Sequence, residues 1–147
     1  MAEVEETKKK TVRKKKIKQL VARGKRKRAI ARAIVKAGTG NVRVNGLFVT
    51  SISSPIVREV ITEPLSFLEG ASKFDISVNV RGGGMMGQAQ AARAAIAKAI
   101  VAFTGDDALR KKMLEFDRSL LVDDARRVEP KKFKGPKARA RFTKSYR

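Results

Sequence analysis

Phe74, Ile76, Val78 and Val80 alternate with Asp75, Ser77 and Asn79, a period of two that predicts a strand with one face committed to a core. Glycines follow. From Gln88 to Phe103 the chain turns alanine-rich, and Ala89, Ala92, Ile96, Ile100 and Phe103 fall along one stripe. That spacing predicts a helix directly after the glycine turn, closed by Gly105. Asp106 and Asp107 open another helix, with Leu109, Met113 and Phe116 as a short apolar stripe and carboxylates at the positive end of the helix dipole.

The preceding half is less regular. Ala29 to Val35 reads as helix or strand, since Ile30, Arg32 and Ile34 alternate with period two while alanine prefers helix. Gly38 and Gly40 end that segment. Asn41 to Asn45 carries Val42 and Val44 on one face and meets the turn dipeptide Asn45-Gly46, which predicts a strand entering a tight turn before Leu47. Ser54-Pro55 predicts a helix opening, a capping hydroxyl followed by proline at the first helical position. Ile56, Val57, Val60 and Ile61 then fall at helical spacing, and Pro64 should interrupt the helix. The expected architecture is α+β, strands first.

Charge divides the chain into three. Residues 1–28 hold 13 Lys/Arg against 3 Asp/Glu, residues 126–147 hold 10 against 1, and the 97 between hold 12 against 10, within a total of +21. A nearly neutral block with two cationic arms is the footprint of a polyanion binder, because like charges at that density repel unless phosphates sit among them. The expected organisation is a basic N-terminal extension over 1–23, a globular nucleic-acid-binding domain over 24–125 and an extended basic tail over 126–147. Residues 8–18 and 126–147 have too few apolar side chains to offset the entropy of ordering them alone in water. The basic start lacks the apolar stretch of a secretory signal, and no run approaches a membrane span.

The chain has no cysteine and no histidine, which removes disulfides, Cys/His metal sites, Ser/His/Asp triads and a near-neutral imidazole. No catalytic residue, metal ligand or cofactor is expected. Asp106-Asp107 and Asp123-Asp124 as magnesium ligands are the alternative, against the commoner reading of paired aspartates as caps. An architectural DNA-binding protein is the other competing class, since the arms suit any phosphate backbone.

Gly82-Gly83-Gly84-Met85-Met86-Gly87 satisfies Gly-x-Gly-x-x-Gly after a strand and before a helix. It fails as a dinucleotide site because Asp106 and Asp107 open a helix where a second parallel strand should end. It fails as a phosphate-binding Walker loop because Gln88-Ala89 stands where Lys-Ser/Thr is required. Two readings remain. Either glycines Gly82, Gly83, Gly84 and Gly87 admit an RNA backbone beside the helix N-terminus, with Arg81, Arg93 and Lys98 extending the surface, or the turn is a tight strand-to-helix connection with solvated cations.

Specific motifs then assemble. They are Gly24-Lys25-Arg26-Lys27-Arg28-Ala29, Val44-Asn45-Gly46, Phe74-Asp75-Ile76 leading to Gly82-Gly83-Gly84 and Gly87-Gln88, and Asp124-Ala125-Arg126-Arg127 running to Glu129 and Lys131-Lys132. The end reads Gly135-Pro136-Lys137-Ala138-Arg139-Ala140-Arg141-Phe142, closed by Lys144-Ser145-Tyr146-Arg147. From about Gly24 to Arg147 the chain resembles the universal small-subunit ribosomal protein family numbered nine, in its archaeal and eukaryotic form.

The resemblance implies a compact α+β domain of the kind shared with the second domain of another ribosomal protein, that numbered five: a mixed sheet with helices packed on it. It also implies a cytoplasmic structural protein bound to the 3′ major domain of small-subunit ribosomal RNA, in the head and beside other head proteins. No membrane is involved. Lys25, Arg26, Lys27 and Arg28 abut the first core segment and would be held rigidly against RNA. Arg126, Arg127, Lys131, Lys132, Lys134, Lys137, Arg139 and Arg141 carry the RNA contact into the tail. In the family the tail threads towards the peptidyl site, which here assigns transfer RNA contact to Lys144, Tyr146 and Arg147. Extended, 22 residues span at most roughly 70 Å at ~3.3 Å each, and Gly135, Ala138 and Ala140 keep the thread thin while Pro136 stiffens it. Phe133, Phe142 and Tyr146 suit stacking on exposed bases or packing on neighbouring protein.

Overall fold

The computed structural model describes residues 19–68 and 74–143. Lys8 to Lys18, and the terminal Lys144, Tyr146 and Arg147, lie outside the described residues. Five strands form one mixed sheet: β1 (Gln19–Arg26), β2 (Ala29–Ala37), β3 (Val42–Val44), β4 (Leu47–Phe48) and β5 (Phe74–Arg81). Their spatial order is β1-β2-β5-β3-β4. All neighbours are antiparallel except β3 and β5, which run parallel. Among the described residues three α-helices accompany the sheet: α1 (Pro55–Thr62), α2 (Met85–Thr104) and α3 (Asp107–Phe116). This is the α+β domain that the sequence predicts.

The ambiguity at Ala29 resolves to strand. Ala29, Ala31, Ala33 and Val35 are all fully buried, so the alanines form the inward row of β2 and not one side of a helix. Their smallness has a partner in α2, where Ala91, Ala92, Ala95, Ile96, Ala99 and Ile100 are also buried. Small side chains on both surfaces let the helix lie close on the sheet. At Gly24 the approach is closest: a Cβ there would collide with the Ala91 carbonyl oxygen and come within 2.6 Å of the Ala95 nitrogen. Ile76, Val78 and Val80 of β5 continue the covered face, and Ile61 of α1, Met113 of α3 and Leu120 close the core. Each large aliphatic side chain so buried contributes roughly 1.5–3 kcal/mol.

The Asn45-Gly46 turn forms as expected, with both residues at positive φ, 50° and 86°. Asn45 does more than turn the chain. Its Oδ1 accepts from the Val80 N–H at 2.8 Å and its own N–H donates to the Val78 carbonyl at 2.8 Å, tying the β3–β4 hairpin to β5. Gly105 closes α2 at φ 70°, and Asp106 caps α3 by accepting from the Ala108 N–H at 2.8 Å. Pro64 diverts the chain after α1 into a 3-10 turn, Glu63–Leu65.

Four details differ from the sequence pattern. The first strand begins at Gln19, so residues 19–23 join the sheet instead of preceding the folded domain. Ser54 occupies the N-cap position of α1 with extended backbone, but its hydroxyl makes no capping bond. Helix α2 starts at Met85, one turn before Gln88, because the glycine turn is complete by Gly84. Phe116 is 62% exposed. It sits at the last turn of α3 and rests edge-on against Phe67, ring centres 5.2 Å apart, instead of entering the core.

Candidate nucleic-acid interface

The hairpin between β1 and β2 turns in two residues, Lys27 and Arg28, with Lys27 at φ 52°. Strand β5 ends beside it, and the glycine turn lies against the hairpin. Gly82 and Gly83 both take positive φ, 73° and 71°, which only glycine adopts without strain. A Cβ on Gly82 would come within 2.8 Å of the Arg28 carbonyl oxygen, and one on Gly83 within 2.9 Å of the Ala29 nitrogen. Gly82 and Gly83 are therefore required by the close approach of two turns, whereas a Cβ on Gly84 would meet nothing within 4 Å. The same geometry leaves Lys25, Lys27, Arg28 and Arg81 exposed together at one end of the domain. The N-terminus of α2 opens there too: Gly84 caps it without a side-chain bond, and the Gln88 amide folds back to the Gly82 carbonyl at 3.2 Å.

Arg26 and Arg93 stand apart from that exposed group. Arg26 points inward from β1, forms an ion pair with Asp124 and donates through Nε to Gln90 at 2.9 Å. Arg93 lies between Glu63, with Nε 2.8 Å from Oε2, and Asp117, with one terminal nitrogen 2.7 Å from Oδ2. Its side chain is 13% exposed. Lys98 reaches Asp123 and the Arg23 carbonyl. All three fasten the chain after α3 onto the domain. Burial works to raise the Asp117 carboxyl, but the Ser119 hydroxyl and N–H, together with Arg93, outweigh it and hold it below its ordinary value.

The tail is rooted by the same carboxylates. Asp124 bridges Arg26 and Arg126, accepting from the Arg126 backbone N–H at 2.7 Å as well as from its side chain. An open polar hollow of about 330 Å³ lies between this clasp and α2, lined by Lys25, Arg26, Gln90, Arg93 and Arg126 among others. Beyond it the described tail is not fully extended. It turns over Phe133 to Arg139, with Lys134 at φ 61° and Gly135 buried against the Ala140 carbonyl. Glu129 holds the turn by accepting from Lys132 at 2.8 Å and Arg139 at 3.0 Å, and those two bonds lower its pKa. Arg127, Lys131, Lys134, Lys137 and Arg141 remain exposed around it, as do Phe133 and Phe142, at 88% and 66%.

The structure also brings forward Arg23, Arg32 and Arg43, cations that the sequence does not single out, and sets them beside Lys25 and Arg81. The register sets Arg23 of β1 opposite Arg32 of β2, and Arg32 opposite Asn79 of β5. The adjacent row is Lys25, Ile30 and Arg81. Arg43 follows on β3, its guanidinium 4.6 Å from the centre of the Phe48 ring. All these cations are exposed on the sheet face opposite α2. The available signal was the alternation of Ile30, Arg32 and Ile34: once the alanines face inward, those residues must face outward.

Fold and charge layout together define a small basic α+β protein built for contact with a polyanion. Residues 24–147 match the family model described as ribosomal protein S9/S16. Among curated proteins, the small ribosomal subunit protein uS9 of Methanothrix thermoacetophila is 47% identical over 125 residues, covering 84% of this chain and 95% of that protein. The chain belongs to the ribosomal protein S9/S16 family. Its role is that of a structural constituent of the small subunit of the cytoplasmic ribosome, acting in translation and not as an enzyme. Among the described residues, no helix is long and apolar enough to cross a membrane.

Proposed function

We propose that this protein binds the 3′ major domain of small-subunit ribosomal RNA in the head, beside other head proteins, and that its C-terminal tail reaches transfer RNA in the peptidyl site. One observation carries the reading: the family match extends over residues 24–147, taking in the cationic tail as well as the domain. Ten cations in the last 22 residues give that segment the charge to lie among phosphates. The Asp124 clasp supports it by fixing where the tail leaves the domain. The domain with its exposed hairpin cations Lys25, Lys27 and Arg28 anchors on ribosomal RNA. Lys144, Tyr146 and Arg147 then make the transfer RNA contact.

Ribosomes carrying the chain truncated after Thr143 test the finer part. Weaker binding of transfer RNA to the peptidyl site, with subunit assembly intact, is the expected result. Unaltered affinity in fully assembled truncated subunits would reduce the tail to assembly alone.

A further inference from the structure

We propose that the open face of the sheet is itself a docking platform for the phosphate backbone of a helical RNA segment, continuous with the hairpin tip and separate from the tail. The proposal rests on the reading of the chain as a ribosomal RNA binder and specifies a second surface for it. Arg23, Lys25, Arg32, Lys36, Arg43 and Arg81 all project from that face. Asp75 is its one carboxylate among the described residues, and it is already engaged by the Thr39 and Asn41 N–H groups at 3.0 and 3.1 Å.

The arrangement is costly without a ligand. Arg23 and Arg32 are directly opposed across the β1–β2 ladder, and like charges so placed destabilise a sheet. Neighbouring strands stand only about 4.8 Å apart. Lys36 stands opposite Asp75 in the ladder, but among the described residues no carboxylate pairs with Arg23, Lys25, Arg32, Arg43 or Arg81. The carboxylates on the helix side are spent instead on Arg26, Arg93 and Lys98. A row of phosphates supplies the missing counter-charge.

The face also indicates how the RNA is held. A groove of about 350 Å³ runs between Arg28, Ile30, Arg32, Asn79, Arg81 and Gly82, with cations on its walls and Ile30, 41% exposed, at its centre. The interleaved apolar residues are aliphatic, Val21, Ile30 and Ile34, and the nearest ring, Phe48, lies under Arg43 at the edge. Flipped-out bases need aromatic platforms, whereas an RNA helix is recognised through phosphates and ribose hydroxyls across its shallow groove. The open face has the second character.

The test uses the full chain and a transcript of the 3′ major domain, with affinity measured over a range of salt concentrations. Two variants are compared: Arg23→Gln with Arg32→Gln and Arg81→Gln on the face, and Lys131→Gln with Lys132→Gln and Lys137→Gln in the tail. The face variant should bind about tenfold more weakly or worse, with the slope of log affinity against log salt reduced by about two to three. Its thermal midpoint should not fall, because the substitutions remove repulsion. Wild-type affinity and slope in the face variant, with only the tail variant weakened, would overturn the platform and leave the ribosomal RNA reading standing. A face variant that binds RNA normally but fails to join the small subunit would overturn it in favour of a protein neighbour. Wild-type chain that does not distinguish this transcript from unrelated RNA defeats the parent reading, and the platform with it.

Discussion

The two faces of the sheet are written on the same strands and could hardly differ more. On β2 the odd-numbered positions Ala29 to Val35 are buried to zero exposure, while Arg32 between them and Lys36 just beyond stand in solvent. One face is selected for smallness, so that α2 can lie close; the other is selected for charge. The near neutrality of the central block, 12 cations against 10 carboxylates, conceals this sorting. Carboxylates gather on the helix side, where Glu63, Asp117, Asp123 and Asp124 tie down Arg93, Lys98 and Arg26. Cations on the sheet side are left for a partner. Net charge by segment is a poor guide to surface potential when the fold separates the signs.

The strongest way to break the contrast is on the covered face. Gly24→Val forces a side chain into the backbone of Ala91 and Ala95, and should cost about 3 kcal/mol or more. Denaturant unfolding measures this as a lowered midpoint, and RNA affinity should be lost only in proportion to the unfolded fraction.

An intermediate effect is expected where the carboxylates sit. Arg93→Met leaves Glu63 and Asp117 facing each other without their shared cation, at a cost of roughly 1–2 kcal/mol at neutral pH. Acid should sharpen the point. Asp117 has its folded pKa below the ordinary 3.8, so the unfolded chain takes up this proton first as pH falls. The stabilisation is complete above the unfolded value and is lost as pH drops through the folded one. Denaturant midpoints of wild type and Asp117→Asn, measured downward from about pH 5, should converge in that acid range.

The smallest effect is on the open face, and it has the opposite sign. Arg32→Gln alone removes one opposed arginine pair and should raise stability by a few tenths of a kcal/mol at low salt, an increment that added salt erases. A loss of stability comparable to that of Gly24→Val would show that Arg32 is a packing residue.

Much of this was readable from the chain. The flawless alternation of β5 and the alanine stripe of α2 are long, strongly periodic signals, and Asn45-Gly46 has a local chemistry that dictates its own turn. Strand β1 was not readable in the same way, because its inward row is Leu20, Ala22, Gly24 and Arg26. A glycine has no side chain to register in an apolar pattern, and an arginine reads as solvent-facing until its partner Asp124, almost a hundred residues away, is in place. Arg93 illustrates the same limit, since the distinction between a cation offered outward and one consumed within depends on Glu63 and Asp117 arriving from other elements. The hairpin tip was legible as a contiguous basic run. Of the open-face cations, Lys25 and Arg81 were picked out beside other motifs, but Arg23, Arg32, Lys36 and Arg43 were not, being scattered in sequence and united only by strand register.

The most direct test of the separation of faces is residue-level chemical accessibility of the chain, free and in assembled small subunits, using acetylation for lysines and an arginine-selective dicarbonyl. Arg23, Lys25, Arg32 and Arg81 should react freely in the isolated protein and become protected in the subunit, while the exposed Arg110 and Lys111 of α3 keep most of their reactivity. The reverse pattern, with α3 protected and the sheet cations still reactive, would contradict the account.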